Sequence, residues 1–148
     1  MTRSHMVVLS AAVALVVWSA HPGAQSRTFA TRLSVVPLTI AMQATVAGQG
    51  SVTAVLSGSR LTIEGKFDGL RSPATAARLH LAPRAMHGEA IAELTVTKAT
   101  SGTFKGSVEL TDRQRDALER LSLYIQINSE KAPEGNLWGW LIPQEVKR

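Results

Sequence analysis

Ser72-Pro73-Ala74-Thr75-Ala76-Ala77-Arg78-Leu79-His80-Leu81-Ala82-Pro83 opens on a proline turn, runs on as a short alternating segment and stops at a second proline. In an extended chain successive side chains point to opposite faces. Ala77, Leu79 and Leu81 therefore share one side, and Arg78 and His80 share the other. An apolar side and a polar side on one short run define a strand with one face on a core. The neighbouring sequence repeats the pattern. Val52, Ala54 and Leu56 alternate within Ser51 to Leu56, and Leu61, Ile63, Gly65 and Phe67 within Arg60 to Phe67. Further on, Ala92, Leu94 and Val96 alternate within Ala90 to Lys98, and Phe104, Gly106, Val108 and Leu110 within Thr103 to Leu110. Ser57-Gly58-Ser59, Asp68-Gly69 and Ser101-Gly102 punctuate these runs as turns.

One stretch breaks the alternation. Thr111 followed three residues later by Gln114 is the reciprocal capping pattern of a helix start, and Asp112 suits the positive end of the helix dipole. Leu121 to Asn128 then alternates again, with Leu121, Leu123, Ile125 and Ile127 inward. Lys131 to Gly135 reads as a turn, and Asn136 to Leu141 as the last strand, with Leu137, Gly139 and Leu141 inward. Short strands parted by glycine turns predict an all-β fold. The expected form is an antiparallel β-sandwich, Greek-key-like, superoxide-dismutase-like or immunoglobulin-like, with one short helix before the penultimate strand. Pro37 interrupts the strand-like composition of residues 27–47, so that part is expected as an N-terminal extension or an edge strand, ahead of a domain over residues 48–148.

Residues 1–26 read as a signal peptide. Arg3 supplies the positive start, Met6 to Ala20 is apolar except for Ser10 and Ser19, and Ala24-Gln25-Ser26 offers small residues at the cleavage spacing. The run falls short of the ~20 residues a membrane-spanning helix needs, so no stable span is expected after cleavage, and the expected location is secreted or periplasmic. The 148-residue chain has no cysteine, which rules out disulfides and N-terminal lipidation. Its net charge of +5 is dispersed. Asp112, Asp116 and Glu119 offset the densest basic group, Arg113, Arg115 and Arg120, so nucleic acid is not an expected partner.

No nucleophile elbow occurs, and with the signal removed His80 and His87 are the only histidines, so a metal site would have to recruit carboxylates or amides around two imidazoles. No catalytic residue, metal site or cofactor is assigned, and the chain is read as a non-enzyme. The candidate contact face lies opposite the core. If the strand of His80 lies near Leu121 to Asn128 and Asn136 to Leu141, that face gathers Arg78, His80, Tyr124, Gln126, Asn128, Trp138 and Trp140. Aromatics, amides and a cation suit a recognition surface for a protein or glycan ligand. Alternatively, the residues before Val46 or the helix cover this face and make the tryptophans core. Self-association through the same patch is a third reading.

These motifs in order resemble the CHRD domain, the module repeated in chordin and found in bacterial secreted proteins. The resemblance runs from about Gly50 to Leu141. It rests on Phe67-Asp68-Gly69-Leu70 with Ser72 to Ala77, on Leu79-His80, Gly102-Thr103-Phe104, Leu110-Thr111 with Gln114 and Leu118, Tyr124-Ile125-Gln126-Ile127 and Gly135-Asn136-Leu137-Trp138-Gly139. It implies an exported all-β module without established enzymatic activity. Family members commonly carry histidine where this chain has Arg78 and Asn128, and G-E-I-R-G-Q where it has Gly135 to Trp140. Only His80 remains of that histidine grouping. The alternative function, a metal-binding or metal-dependent protein of superoxide-dismutase-like build, would have to do without the other imidazoles.

Overall fold

The computed structural model describes residues 25–145; the predicted signal run up to residue 24 lies outside them. Nine strands form: β1 (Arg27–Val35), β2 (Gln49–Ser57), β3 (Arg60–Asp68), β4 (Ala74–Leu81), β5 (Glu89–Val96), β6 (Gly102–Glu109), β7 (Leu123–Ser129), β8 (Ala132–Trp140) and β9 (Ile142–Pro143). Among the described residues one α-helix, α1 (Asp112–Glu119), joins β6 to β7, and a short 3-10 helix, Ile40–Met42, lies between β1 and β2. The cap is as the sequence predicts. The Thr111 hydroxyl accepts from the Gln114 amide, and the Gln114 side chain accepts from the Thr111 amide.

All pairings are antiparallel, and the strands follow one another as β1-β2-β3-β6-β5-β4-β7-β8 before returning to β1. The expected sandwich is therefore corrected: the fold is a closed eight-stranded barrel with β9 as an extra strand. Two strands that change partners close it. β1 pairs with β2 from Arg27 to Leu33 but gives Ser34 and Val35 to β8. β5 pairs with β4 and then gives Thr95 and Val96 to β6. A sandwich leaves open edges at these two corners, whereas here backbone hydrogen bonds cross both. The connectivity is a Greek key, because β4, β5 and β6 follow as neighbours and β7 returns beside β4. Arg27 to Val35 is neither an extension nor an edge strand: it is held by β2 on one side and by β8 and β9 on the other.

The barrel interior follows the alternation. Phe29, Leu33, Val52, Ala54, Leu61, Ile63, Phe67, Ala77, Leu79, Phe104, Leu123, Ile125, Ile127 and Leu137 are buried in one cluster, with Leu118 of α1 among them. Gly65 lies on the same face because Phe104 occupies its side-chain space. A Cβ there would stand 2.1 Å from Phe104 Cζ and 2.6 Å from the Ser51 carbonyl. Gly65→Ala is expected to cost about 1–3 kcal/mol as overpacking. Urea denaturation checks this, and an unchanged midpoint would mean that the ring moves aside freely.

Two boundaries differ from expectation. Leu121 is not an inward strand residue, since α1 still has to be terminated there. Its amide donates to the Leu118 carbonyl and that of Ser122 to the Ala117 carbonyl, the paired bonds of a helix stop, with Leu121 in the left-handed region at φ 59°. At the other end, the β7–β8 hairpin turns at Glu130-Lys131, and β8 begins at Ala132. Pro133 and Glu134 therefore lie within a strand.

Candidate functional site

Parity places the predicted contact residues together. In β4 and β7, Arg78 pairs with Gln126 and His80 with Tyr124; in β7 and β8, Tyr124 pairs with Trp140 and Gln126 with Trp138. Directly paired residues project to the same face, here the outer face of the barrel wall. Arg78, His80, Tyr124, Gln126, Asn128, Trp138 and Trp140 thus belong to one layer. Apart from the partly exposed Arg78, this layer is covered. Residues 36–48 leave β1, cross the wall as a strap and return to β2. Val36, Val46 and the partly buried Met42 pack with Tyr124, Trp138, Trp140, Ala82 and Ala132 in a second, smaller core outside the barrel. Trp138 and Trp140 keep 8 % and 7 % of their surface.

The aromatic rings form a continuous stack. His80 lies on Tyr124 (4.9 Å between centroids) and Tyr124 on Trp140 (4.5 Å), while Trp138 meets Trp140 edge-on at 4.7 Å. The indole N–H of Trp140 donates to the Ala82 carbonyl at 3.0 Å. Gly88, in the β4–β5 connection, latches the other end. Its amide donates to the Tyr124 hydroxyl (3.0 Å), and its carbonyl accepts from His80 Nδ1 (2.9 Å). A carbonyl can only accept, so Nδ1 carries the proton. Nε2 is left buried and without a partner.

Arg78 is engaged as well, donating from Nε to Glu93 of β5 at 2.5 Å; an exposed pair of this kind is worth about 0.2–1 kcal/mol. The amides form a relay. Asn128 Nδ2 donates to the Pro133 carbonyl, and Gln126 Nε2 donates to both Asn128 Oδ1 and the Glu134 carbonyl. Since both partners of Gln126 Nε2 are acceptors, the orientation of the amide is determined, and Oε1 is left buried without a donor.

Burial holds the His80 imidazole below its ordinary value near 6.5; the charges of Arg78 and His87 act in the same direction, and the Gly88 hydrogen bond and Glu93 oppose it. A depressed folded-state value means that the unfolded chain binds the proton more readily. The resulting stability is complete above about pH 6.5 and is lost as pH falls through the folded-state value. The protein is expected to unfold at lower denaturant at pH 5 than at pH 7.5. His80→Asn, which can keep a donor toward Gly88, should shrink that difference. An equal pH dependence in both proteins would assign it to other groups.

The open surface beside this layer is a cleft of about 370 Å³, lined by Val36, Pro37 and Met42 of the strap, His87 of the β4–β5 connection, and Glu134 and Gly135 of β8. His87 lies 5.0 Å from Trp138, tilted against its ring. The sequence marks His87 only as one of two histidines available as a base or metal ligand and gives Met42, Glu134 and Gly135 no site role, because their meeting depends on where the strap lands. A second cleft of about 370 Å³ lies between α1 and the end of β4, with Arg113, Asp116 and Arg120 on its rim. Among the described residues, no group of three or more histidine, aspartate or glutamate side chains is placed to hold a metal ion, and no helix is long and apolar enough to cross a membrane.

A Greek-key barrel with a strapped aromatic layer on one outer wall is the class of protein that this geometry defines. The family model for the CHRD domain matches residues 29–141, from β1 to the end of β8. The chain belongs to the CHRD-domain family. Neither a curated protein nor a solved structure matched it.

Proposed function

We propose that this protein is an exported, noncatalytic CHRD-domain module, secreted or periplasmic, that binds a protein or glycan ligand at the cleft between the strap and the β4–β5 connection. Export is supported by the charged start, the apolar run and the small residues at 24–26, together with family membership. The observation that carries the binding reading is the distribution of exposed apolar side chains. Leu38 (43 % exposed) and Met86 (57 %) are chain neighbours of the cleft-lining Pro37 and His87, and Ile40 (89 %) lies two residues before Met42. Of the large exposed apolar residues described, only Val55 and Ile142 lie elsewhere. Exposed apolar side chains on the segments that wall a concavity favour a contact site there. Of the seven predicted contact residues none lines this cleft; Trp138 approaches it through His87 and Gln126 through Gly135.

An array of short peptides and oligosaccharides, probed with the protein and with an Ile40→Ser/Met86→Ser variant, tests the reading. Spots bound by the parent and lost in the variant are expected. Spots bound equally by both would move the contact surface away from the cleft. Sedimentation of the same two proteins covers self-association: a dimer abolished by the variant would make a second copy the occupant.

A further inference from the structure

The cleft's chemistry narrows its ligand further, on the footing that it is a binding site. Its walls divide between the apolar side chains of Val36, Pro37 and Met42 and a polar side where Glu134 and His87 are the ionisable groups; no lysine or arginine lines it. Arginines neutralise Glu93, Glu109, Asp112 and Glu119 elsewhere on the surface. Glu134 is exposed and, like six other carboxylates among the described residues, takes part in no ion pair; among the cleft's lining residues it is the sole carboxylate. Its backbone is nevertheless held in place, because its carbonyl accepts from Gln126 Nε2 at 3.1 Å. Gly135 then contributes bare backbone to the wall and abuts the same amide: a Cβ on it would stand 3.2 Å from Gln126 Cδ and Nε2 and from Val36 Cγ1. This corner therefore offers an unpaired carboxylate beside an apolar wall of Val36, Pro37 and Met42. A carboxylate without a partner, next to apolar surface, calls for a cationic donor on an apolar body.

We propose that the cleft takes a protonated primary amine carried on an apolar stem. The ammonium sits against the Glu134 carboxylate, and the stem lies along Val36, Pro37 and Met42 toward the His87 ring over Trp138. A hydroxyl in its place donates a hydrogen bond but leaves the carboxylate unneutralised. A carboxylate ligand meets like charge.

Titration with n-hexylamine, hexan-1-ol and hexanoate at pH 8, followed by Met42 methyl and His87 ring NMR shifts, tests this. The amine is expected to bind at least about tenfold more tightly than the alcohol, with hexanoate weaker still. Glu134→Gln, which keeps the backbone carbonyl, should bring the amine to the level of the alcohol, whereas Glu130→Gln in the adjoining turn should leave it unchanged. Saturable binding with amine and alcohol alike, or an amine affinity indifferent to Glu134→Gln, overturns the amine proposal while the cleft remains a binding site. No saturable shift from any of the three compounds removes both.

Discussion

Trp140→Ala is expected to lower the unfolding free energy by about 3–5 kcal/mol, the range for truncating a large buried aromatic. The indole is 7 % exposed, stacks on Tyr124, meets Trp138 edge-on and donates to the Ala82 carbonyl. Alanine removes the contacts and leaves a void between strap and wall, and the Ala82 carbonyl loses its donor. Trp140→Phe separates these effects. It keeps much of the packing and leaves that buried carbonyl unpaired, at a cost of about 1–3 kcal/mol. Urea denaturation reads both variants. A loss below about 0.5 kcal/mol for Trp140→Ala, the ordinary scale of a surface substitution, would show that the ring faces solvent and that the strap does not pack on it.

Gly88→Ala is expected to cost about 2–4 kcal/mol, from overpacking together with strained hydrogen bonds. An ideal Cβ at this position stands 1.9 Å from the Leu81 carbonyl oxygen and 2.7 Å from Ala82 Cβ. The obstruction is backbone, which cannot rotate aside as a flexible side chain can. If the β4–β5 connection shifts to relieve it, the bonds from Gly88 to Tyr124 and from His80 to Gly88 lengthen together. The variant should therefore lose stability and much of its acid sensitivity at once, since His80 then reaches water. Unaltered stability with an unaltered pH profile would mean that the latch does not hold the histidine.

The barrel interior was legible because strand periodicity is local. Ala77 and Leu79, Ile125 and Ile127, and Leu61 and Ile63 each announce their shared face within a few residues, and all of them are buried in the main core. The helix start was equally legible, since Thr111 and Gln114 satisfy each other's backbone across three residues. Residues that depend on distant partners were not. Closure into a barrel rests on Ser34 and Val35 reaching β8 and on Thr95 and Val96 reaching β6. Neither pair differs in composition from a strand that keeps one partner. Leu121 read as strand because its spacing matches Leu123, and only the termination of α1 requires its left-handed backbone.

The contact face shows the same division. Alternation alone put His80, Tyr124, Gln126, Trp138 and Trp140 on one side of the wall, and the strand register agrees. Whether that side meets solvent or protein could not follow from alternation, because a strand's pattern records which residues share a face and not what lies above it. That was decided by the strap. Val36 and Val46 are too few and too far apart to announce themselves as a second core, yet they bury the aromatic layer and leave Met42, Glu134, Gly135 and His87 around an open cleft. Side-chain parity is set by backbone stereochemistry within each strand, whereas burial is set by segments that meet only when the chain folds.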